Sequence, residues 1–260
     1  MPAVRGKYRF VTQPSAAHPL AAPAAIRHET ALIMSKASLH LPSKNPDKGA
    51  LARLGKQVRK RLAANPAVYP LQAEKAEIFA VGEFMTLDEC ERMIAMIDAI
   101  AKPSKAFDAD YRQAYRTSYS GDVDPYDPFV LKIQRRIDDL LGIPSEYGET
   151  VQGQRYLAGQ EFKSHCDWFD PRTDYWKAET GRGGQRSYTA MVFLNDVEEG
   201  GTTDFPGLGL SITPKAGVLL AWNNATPEGL LNEWTLHAGT PVTAGSKYII
   251  TKWYRTRKWG

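Results

Sequence analysis

From residue 150 onward this chain has no helical periodicity. Short β-branched and aromatic runs cover 151–157, 187–195, 210–213, 217–222, 234–238 and 246–254, separated by Gly, Pro and Asn. Successive runs of this length predict strands packed as an antiparallel barrel or sandwich. The stretch before them reads differently. Ile78-Phe-Ala-Val81 suits a strand, and Thr86-Leu-Asp-Glu89 is a capping box, in which a hydroxyl and a carboxylate each satisfy an orphan amide at a helix start. Leu87, Cys90, Ile94, Ile97 and Ala101 then form an apolar helical stripe that ends before Pro103, which assigns Cys90 to the core. A second helix opens at Asp127-Pro128, carries Val130, Ile133, Ile137 and Leu140, and stops at Gly142. Helices followed by strands predict an α+β fold whose N-terminal helices buttress one β face.

The N-terminal part is simpler. Residues 1–33 are rich in Ala and Pro and contain one acid, Glu29, which predicts a disordered tail and makes Met34 an alternative start. From Lys36 to Arg61, eight basic residues face the single acid Asp47, and Leu51, Leu54, Val58 and Leu62 recur at helical spacing. No nucleic-acid recognition motif accompanies this charge, so a solvated helix face outweighs nucleic-acid binding. Two cysteines cannot build a disulfide framework, and as reduced thiols they predict a cytoplasmic protein. No run approaches the roughly 20 apolar residues of a membrane span.

Of five histidines, only His165 and His237 fall in the segment expected to be ordered. His165-Cys-Asp167 sets an imidazole and a carboxylate two residues apart. On a strand, positions i and i+2 share a face, so both reach one metal while Cys166 turns away. His237 is the candidate third ligand. Two histidines and a carboxylate leave about three positions open on an octahedral iron(II), enough for a chelating co-substrate and dioxygen. Zinc accepts the same ligand types, so the triad alone also fits a zinc hydrolase. Lys247 lies ten residues beyond His237, at the start of the apolar run Ile249–Trp253. Turned inward it needs an anion to offset its desolvation; just outside the strand end it stands in water.

About 140 residues hold, in order, the segments Arg116-Thr-Ser118, Gly148-Glu-Thr-Val-Gln152, Arg155-Tyr156 with Gly159-Gln160, His165-Cys-Asp167, Arg186-Ser-Tyr-Thr189 with Phe193-Leu-Asn-Asp196, Glu199-Gly-Gly-Thr-Thr-Asp-Phe-Pro206, Pro214-Lys-Ala-Gly217, and His237 to Trp253. In these segments the chain resembles the prolyl 4-hydroxylase family of iron(II)/2-oxoglutarate dioxygenases, most closely its plant, algal and animal collagen-type branch.

The resemblance implies a double-stranded β-helix (jelly-roll) core, with residues 1–75 as an extension and 76–260 as the catalytic domain, divided into a helical buttress at 76–145 and the jelly roll at 146–260. It implies Fe(II) at His165, Asp167 and His237. It also implies 2-oxoglutarate held by Lys247 with Tyr156 and Thr189, O2 as co-reactant, and ascorbate as an optional reductant. By the same carry-over Arg116, Ser118, Glu149, Gln152 and Trp253 line a groove for a proline-containing peptide or protein. The same chemistry on another side chain or a free small molecule is the alternative; a non-catalytic jelly-roll module is the alternative of another class. The segment Asp170–Arg186, with Tyr175, Trp176 and Gly181, Gly183 and Gly184, is expected to be a hinged lid rather than a plain surface loop.

Overall fold

The computed structural model describes residues 47–71, 73–104 and 115–260. The predicted N-terminal tail, His18, His28, His40 and the first part of the basic run lie outside the described residues. Four α-helices are described: α1 (Lys48–Ala63), α2 (Leu87–Ile100), α3 (Pro128–Leu141) and α4 (Tyr175–Gly181). The first ten strands are β1 (Val68–Pro70), β2 (Ile78–Val81), β3 (Lys102–Pro103), β4 (Tyr119–Asp122), β5 (Gln152–Leu157), β6 (Phe162–His165), β7 (Arg186–Phe193), β8 (Glu199–Gly200), β9 (Thr203–Phe205) and β10 (Leu210–Ile212). The last four are β11 (Leu219–Asn223), β12 (His237–Gly239), β13 (Val242–Ala244) and β14 (Ser246–Arg255). The fold is mixed, and antiparallel sheets dominate it. An eight-stranded sheet runs β1-β2-β11-β7-β14-β5-β4-β3, a four-stranded sheet runs β10-β9-β12-β6, and β13 pairs with β8.

The central strands of the large sheet are buried on both faces, and their two-residue period divides two cores. On β7, Tyr188, Ala190 and Val192 join the core beneath the helices, whereas Met191 and Phe193 join the one facing the small sheet. On β11, Leu219 and Ala221 face the helices, and Leu220 and Trp222 face Phe205, Leu210 and Ile212 of the small sheet. Gly153 on β5 lets α2 approach, since a Cβ there would stand 2.4 Å from Ile97 Cγ1.

Both predicted caps form. Thr86 Oγ1 accepts from the Glu89 amide at 3.2 Å, and Glu89 Oε2 accepts from the Thr86 amide at 3.1 Å. Asp127 caps α3 at the Phe129 amide, 2.7 Å, and Gly142 ends it in the left-handed region at φ 68°. On α2 the stripe is shifted: Cys90, Met93 and Ile97 are buried, while Leu87 is 66% exposed. On α3, Leu141 rather than Leu140 completes the buried face.

Three expectations are corrected. Residues 47–71 are not set apart from the catalytic fold, because Val58 and Leu62 of α1 lie in the helix-side core and β1 is an edge strand paired to β2. The boundary expected at 75/76 therefore cuts a continuous core, and β2 and β4, from the expected buttress, pair with β11 and β5. The run 234–238 begins with a 3-10 turn, Glu233–Thr235, and only then becomes β12. The expected hinged lid contains α4 and is anchored: Gly184 donates its amide to Glu179 O at 2.9 Å, and its carbonyl accepts from Arg255 Nη1 at 2.6 Å.

Candidate iron and co-substrate site

β6 and β12 pair antiparallel with His237 opposite His165, which brings the two imidazoles to a centroid separation of 4.3 Å. Asp167, two residues past His165, turns its carboxylate between them. Oδ1 lies 3.9 Å from His165 Nε2 and Oδ2 lies 3.8 Å from His237 Nε2. The three candidate ligand atoms fall within 4.8 Å of one another. Each ring is fixed from behind, since His165 Nδ1 bonds Lys163 O at 2.8 Å and His237 Nδ1 bonds Thr235 O at 2.9 Å. A donor bond at Nδ1 leaves the lone pair on Nε2, the tautomer a metal needs. Burial and the neighbouring His237 pull the His165 pKa down to about 3, so the ring is neutral at physiological pH. Burial alone would raise the Asp167 carboxyl; His237, His165, Arg186 and the Thr189 hydroxyl outweigh it and hold it below the usual range. Cys166, between the ligands, has its thiol pushed up to about 12 by burial and by Asp167, so it offers no thiolate.

A cavity opens beside this triad. Its lining includes His165, Asp167 and His237, with Tyr156, Thr203, Trp222, Lys247 and Trp253. Lys247 is 2% exposed, and among the described residues it makes no ion pair; its Nζ donates to Thr203 Oγ1 at 3.3 Å. Burial drags its pKa from 10.5 to about 7 against a weaker opposing pull from Asp204. The indole N–H groups of Trp222 and Trp253 are buried with no hydrogen-bond partner among the described residues. A buried ammonium and two orphan donors around one cavity call for an acceptor-rich anion.

Residues 151–255 match the family model described as the 2OG-Fe(II) oxygenase superfamily. The chain is 31% identical over 205 residues to probable prolyl 4-hydroxylase 8 of Arabidopsis thaliana, an alignment covering 70% of this chain and 69% of that protein. It is 33% identical over 204 residues to prolyl 4-hydroxylase 5 of the same plant, covering 67% of each. This chain belongs to the prolyl 4-hydroxylase family of 2-oxoglutarate- and iron(II)-dependent oxygenases. Among solved structures, the viral collagen prolyl hydroxylase of Paramecium Bursaria Chlorella virus-1, in its 2OG complex, is similar with a TM-score of 0.54 and 29% identity. That match covers 68% of this chain and 94% of the viral one. The enzyme is thus a dioxygenase that uses Fe(II), 2-oxoglutarate and O2, and the donors around its cavity suit those groups.

The remaining family positions divide into two sets. Tyr156 and Trp253 line the cavity with Lys247 and the triad, as do Gln154, Ile249 and Thr251. The Tyr156 hydroxyl donates to Gln154 Oε1 at 2.7 Å. Thr189 does not line it. Its hydroxyl donates to Asp167 Oδ2 at 2.8 Å, so it serves the carboxylate of the triad, and the hydroxyl beside Lys247 belongs instead to Thr203. Thr203 stands across from Gly239 in the β12–β9 pairing, a neighbour that sequence distance hides.

Arg116, Ser118, Glu149 and Gln152 lie around the cavity rather than on its wall. Arg116 lays its guanidinium over Phe162, 4.8 Å from the ring centroid, and Phe162 stacks on His165 at 3.6 Å. Arg116 also donates to Ser118 Oγ and Gln152 Oε1, both at 3.0 Å. Glu149 is occupied: Arg186 grips it with Nε and Nη2 at 2.7 and 2.8 Å, and Arg255 adds a bond at 2.6 Å. Burial would raise this carboxyl, but the two arginines hold it low and ionised. A carboxylate already shared by two guanidiniums is no free acceptor for a peptide. Arg186, to which the sequence assigned no role, lies 4.0 Å over the Trp253 ring and 3.9 Å from Asp167 Oδ1.

Proposed function

We propose that this oxygenase hydroxylates prolyl residues in a peptide or protein, with His165, Asp167 and His237 holding Fe(II) and Lys247 pairing with the distal carboxylate of 2-oxoglutarate. The observation that carries the reading is the buried, anion-less Lys247 sharing one cavity with the triad. Bound iron supplies the oxidising power that couples decarboxylation of 2-oxoglutarate, to succinate and carbon dioxide, to insertion of one oxygen atom into a substrate C–H bond. The chain's own residues do the rest. The Lys163 and Thr235 carbonyls fix the two imidazoles as neutral donors. Lys247 and Thr203 anchor one end of the keto acid, Tyr156 closes the wall beside them, and the apolar lining of Met191 and Ile249 excludes water.

The peptide substrate rests on the names of the relatives and on Trp253, whose ring at the cavity suits a pyrrolidine. Arg186 covers one face of that ring. The two facing sheets are consistent with a double-stranded β-helix, and we extend that architecture to this chain, with the cytoplasm as its compartment.

The test is succinate release by the purified protein given Fe(II), 2-oxoglutarate and O2, with mass spectrometry for oxygen addition to proline-rich peptides. Turnover coupled to hydroxyproline is expected, and His165→Ala and Asp167→Ala lose it. Succinate release without peptide oxidation redirects the substrate to another side chain or a small molecule. No succinate under any condition overturns the reading.

A further inference from the structure

The three ligands of the proposed iron site are oriented in two different ways. His165 and His237 each bond a backbone carbonyl two residues earlier, Lys163 O and Thr235 O. Asp167 lies past the end of β6, outside any strand, and has no such support from its own segment. Among the described residues its one hydrogen bond comes from Thr189 Oγ1 on β7. Arg186 reaches only 3.9 Å from Oδ1. The aim of the carboxylate therefore depends on where a single threonine hydroxyl points.

A hydroxyl rotates, and something must choose its direction. Behind Thr189 stands Asn224, immediately after β11, with Nδ2 donating to Thr189 Oγ1 at 3.0 Å. The alternative in which Thr189 donates back to Asn224 Oδ1 spans 3.4 Å, against 2.8 Å to Asp167 Oδ2. With one proton on the hydroxyl, the short bond to Asp167 and the amide bond from Asn224 form one consistent chain, each link polarising the next. Both side chains are sealed from solvent, Thr189 at 0% and Asn224 at 1% exposure, so water does not compete for these bonds. Asn224 is in turn pinned by its backbone, donating to Ser187 O at 2.9 Å and accepting from the Asn232 amide at 3.0 Å.

We propose that Asn224 is a positioning residue for the metal carboxylate, acting through Thr189 on Asp167; the proposal rests on the iron reading of the triad. An apolar residue at 224 would leave the Thr189 hydroxyl free to turn and Asp167 free to rotate, which weakens the metal without removing a ligand.

The experiment is titration of the metal-free full chain with Co(II), followed by its visible d–d absorption, alongside Tm. Asn224→Leu is expected to bind Co(II) about tenfold more weakly, and Thr189→Val about 10–100-fold more weakly, in line with the loss of an outer-shell partner. Thr189→Ser, which keeps the hydroxyl, is expected to match the wild type. The double variant Asn224→Leu/Thr189→Val should be no weaker than Thr189→Val alone, because both act through one hydroxyl. If Asn224→Leu does not fold, Asn224→Ala carries the same expectation. Unchanged Co(II) affinity and spectrum in a folded Asn224 variant, or losses that simply add, overturn the proposal while leaving the iron reading intact. A wild-type chain that binds no Co(II) overturns both.

Discussion

A buried lysine with no counter-charge is expensive, and Lys247 shows why a site tolerates one. Its pKa, pulled to about 7 by burial, means that the folded chain sheds this proton near neutrality while the unfolded chain holds it to about 10.5. Between those values the unfolded state binds more protons, so this group's contribution to stability improves as pH rises from 7 to 10.5, and its full cost is felt below 7. Lys247→Met is accordingly expected to stabilise the ligand-free protein by about 1–4 kcal/mol at pH 6, with the gain fading toward pH 10. Urea unfolding at the two pH values checks this, and a less stable variant at pH 6 would contradict it. The same variant should lose 2-oxoglutarate binding. In the wild type, binding should take up a proton and weaken above pH 7 by up to tenfold per unit, because the anion needs the ammonium. Calorimetry in buffers of different ionisation enthalpy detects that uptake. At this scale local signals singled out His165 and Asp167 by their two-residue spacing and Lys247 as a lysine entering an apolar run, although Asp167 lies beyond the end of β6 rather than on the strand. Thr203, Asn224 and the true partner of Thr189 were not, since each depends on strands brought together from far apart in the chain.

At the scale of elements, the parts that announced themselves were those with chemical punctuation. The Thr86–Glu89 box and the Asp127-Pro128 to Gly142 frame set the ends of α2 and α3, and the structure reproduces both. Strands of two or three residues, such as β8, β9 and β13, are too short for alternation to be read. α4 was missed because its buried face is set by ion pairs rather than by an apolar stripe. Glu179 meets Arg255 Nη2 at 2.5 Å, with both side chains under 5% exposed, and this pair ties the helix to β14. Glu179→Ala is expected to cost about 2 kcal/mol. That is less than the roughly 3–5 kcal/mol of an isolated buried pair, because Glu149 keeps Arg255 partnered. It should also loosen 170–186, read as faster amide exchange there; protection equal to the wild type would show that the ion pair does not hold the segment.

For the whole molecule, composition and pattern predicted the α+β class and the helical cover over one sheet face. They did not predict that residues 47–71 belong to the same core, because a basic helix looks solvated when its apolar stripe is only four residues. Leu62, on the buried face of α1, is 1% exposed, so Leu62→Ala should cost about 2–5 kcal/mol in a single unfolding transition. A separate low-stability transition for α1, leaving the main one unmoved, would restore the independent extension.

β14 runs without interruption from Ser246 to Arg255, hydrogen-bonded on one side to β5 and on the other to β7. Lys247 sits at one end and Trp253 near the other, six residues or about 20 Å along a single continuous strand. The strand is gripped again from the helix side, where Lys252 meets Asp138 at 2.6 Å. It works as a gauge of fixed length. The span between Lys247 and the Trp253 ring is a property of one continuous backbone. A change in which molecule is accepted at either end must therefore come from exchanging side chains along the gauge, not from stretching it.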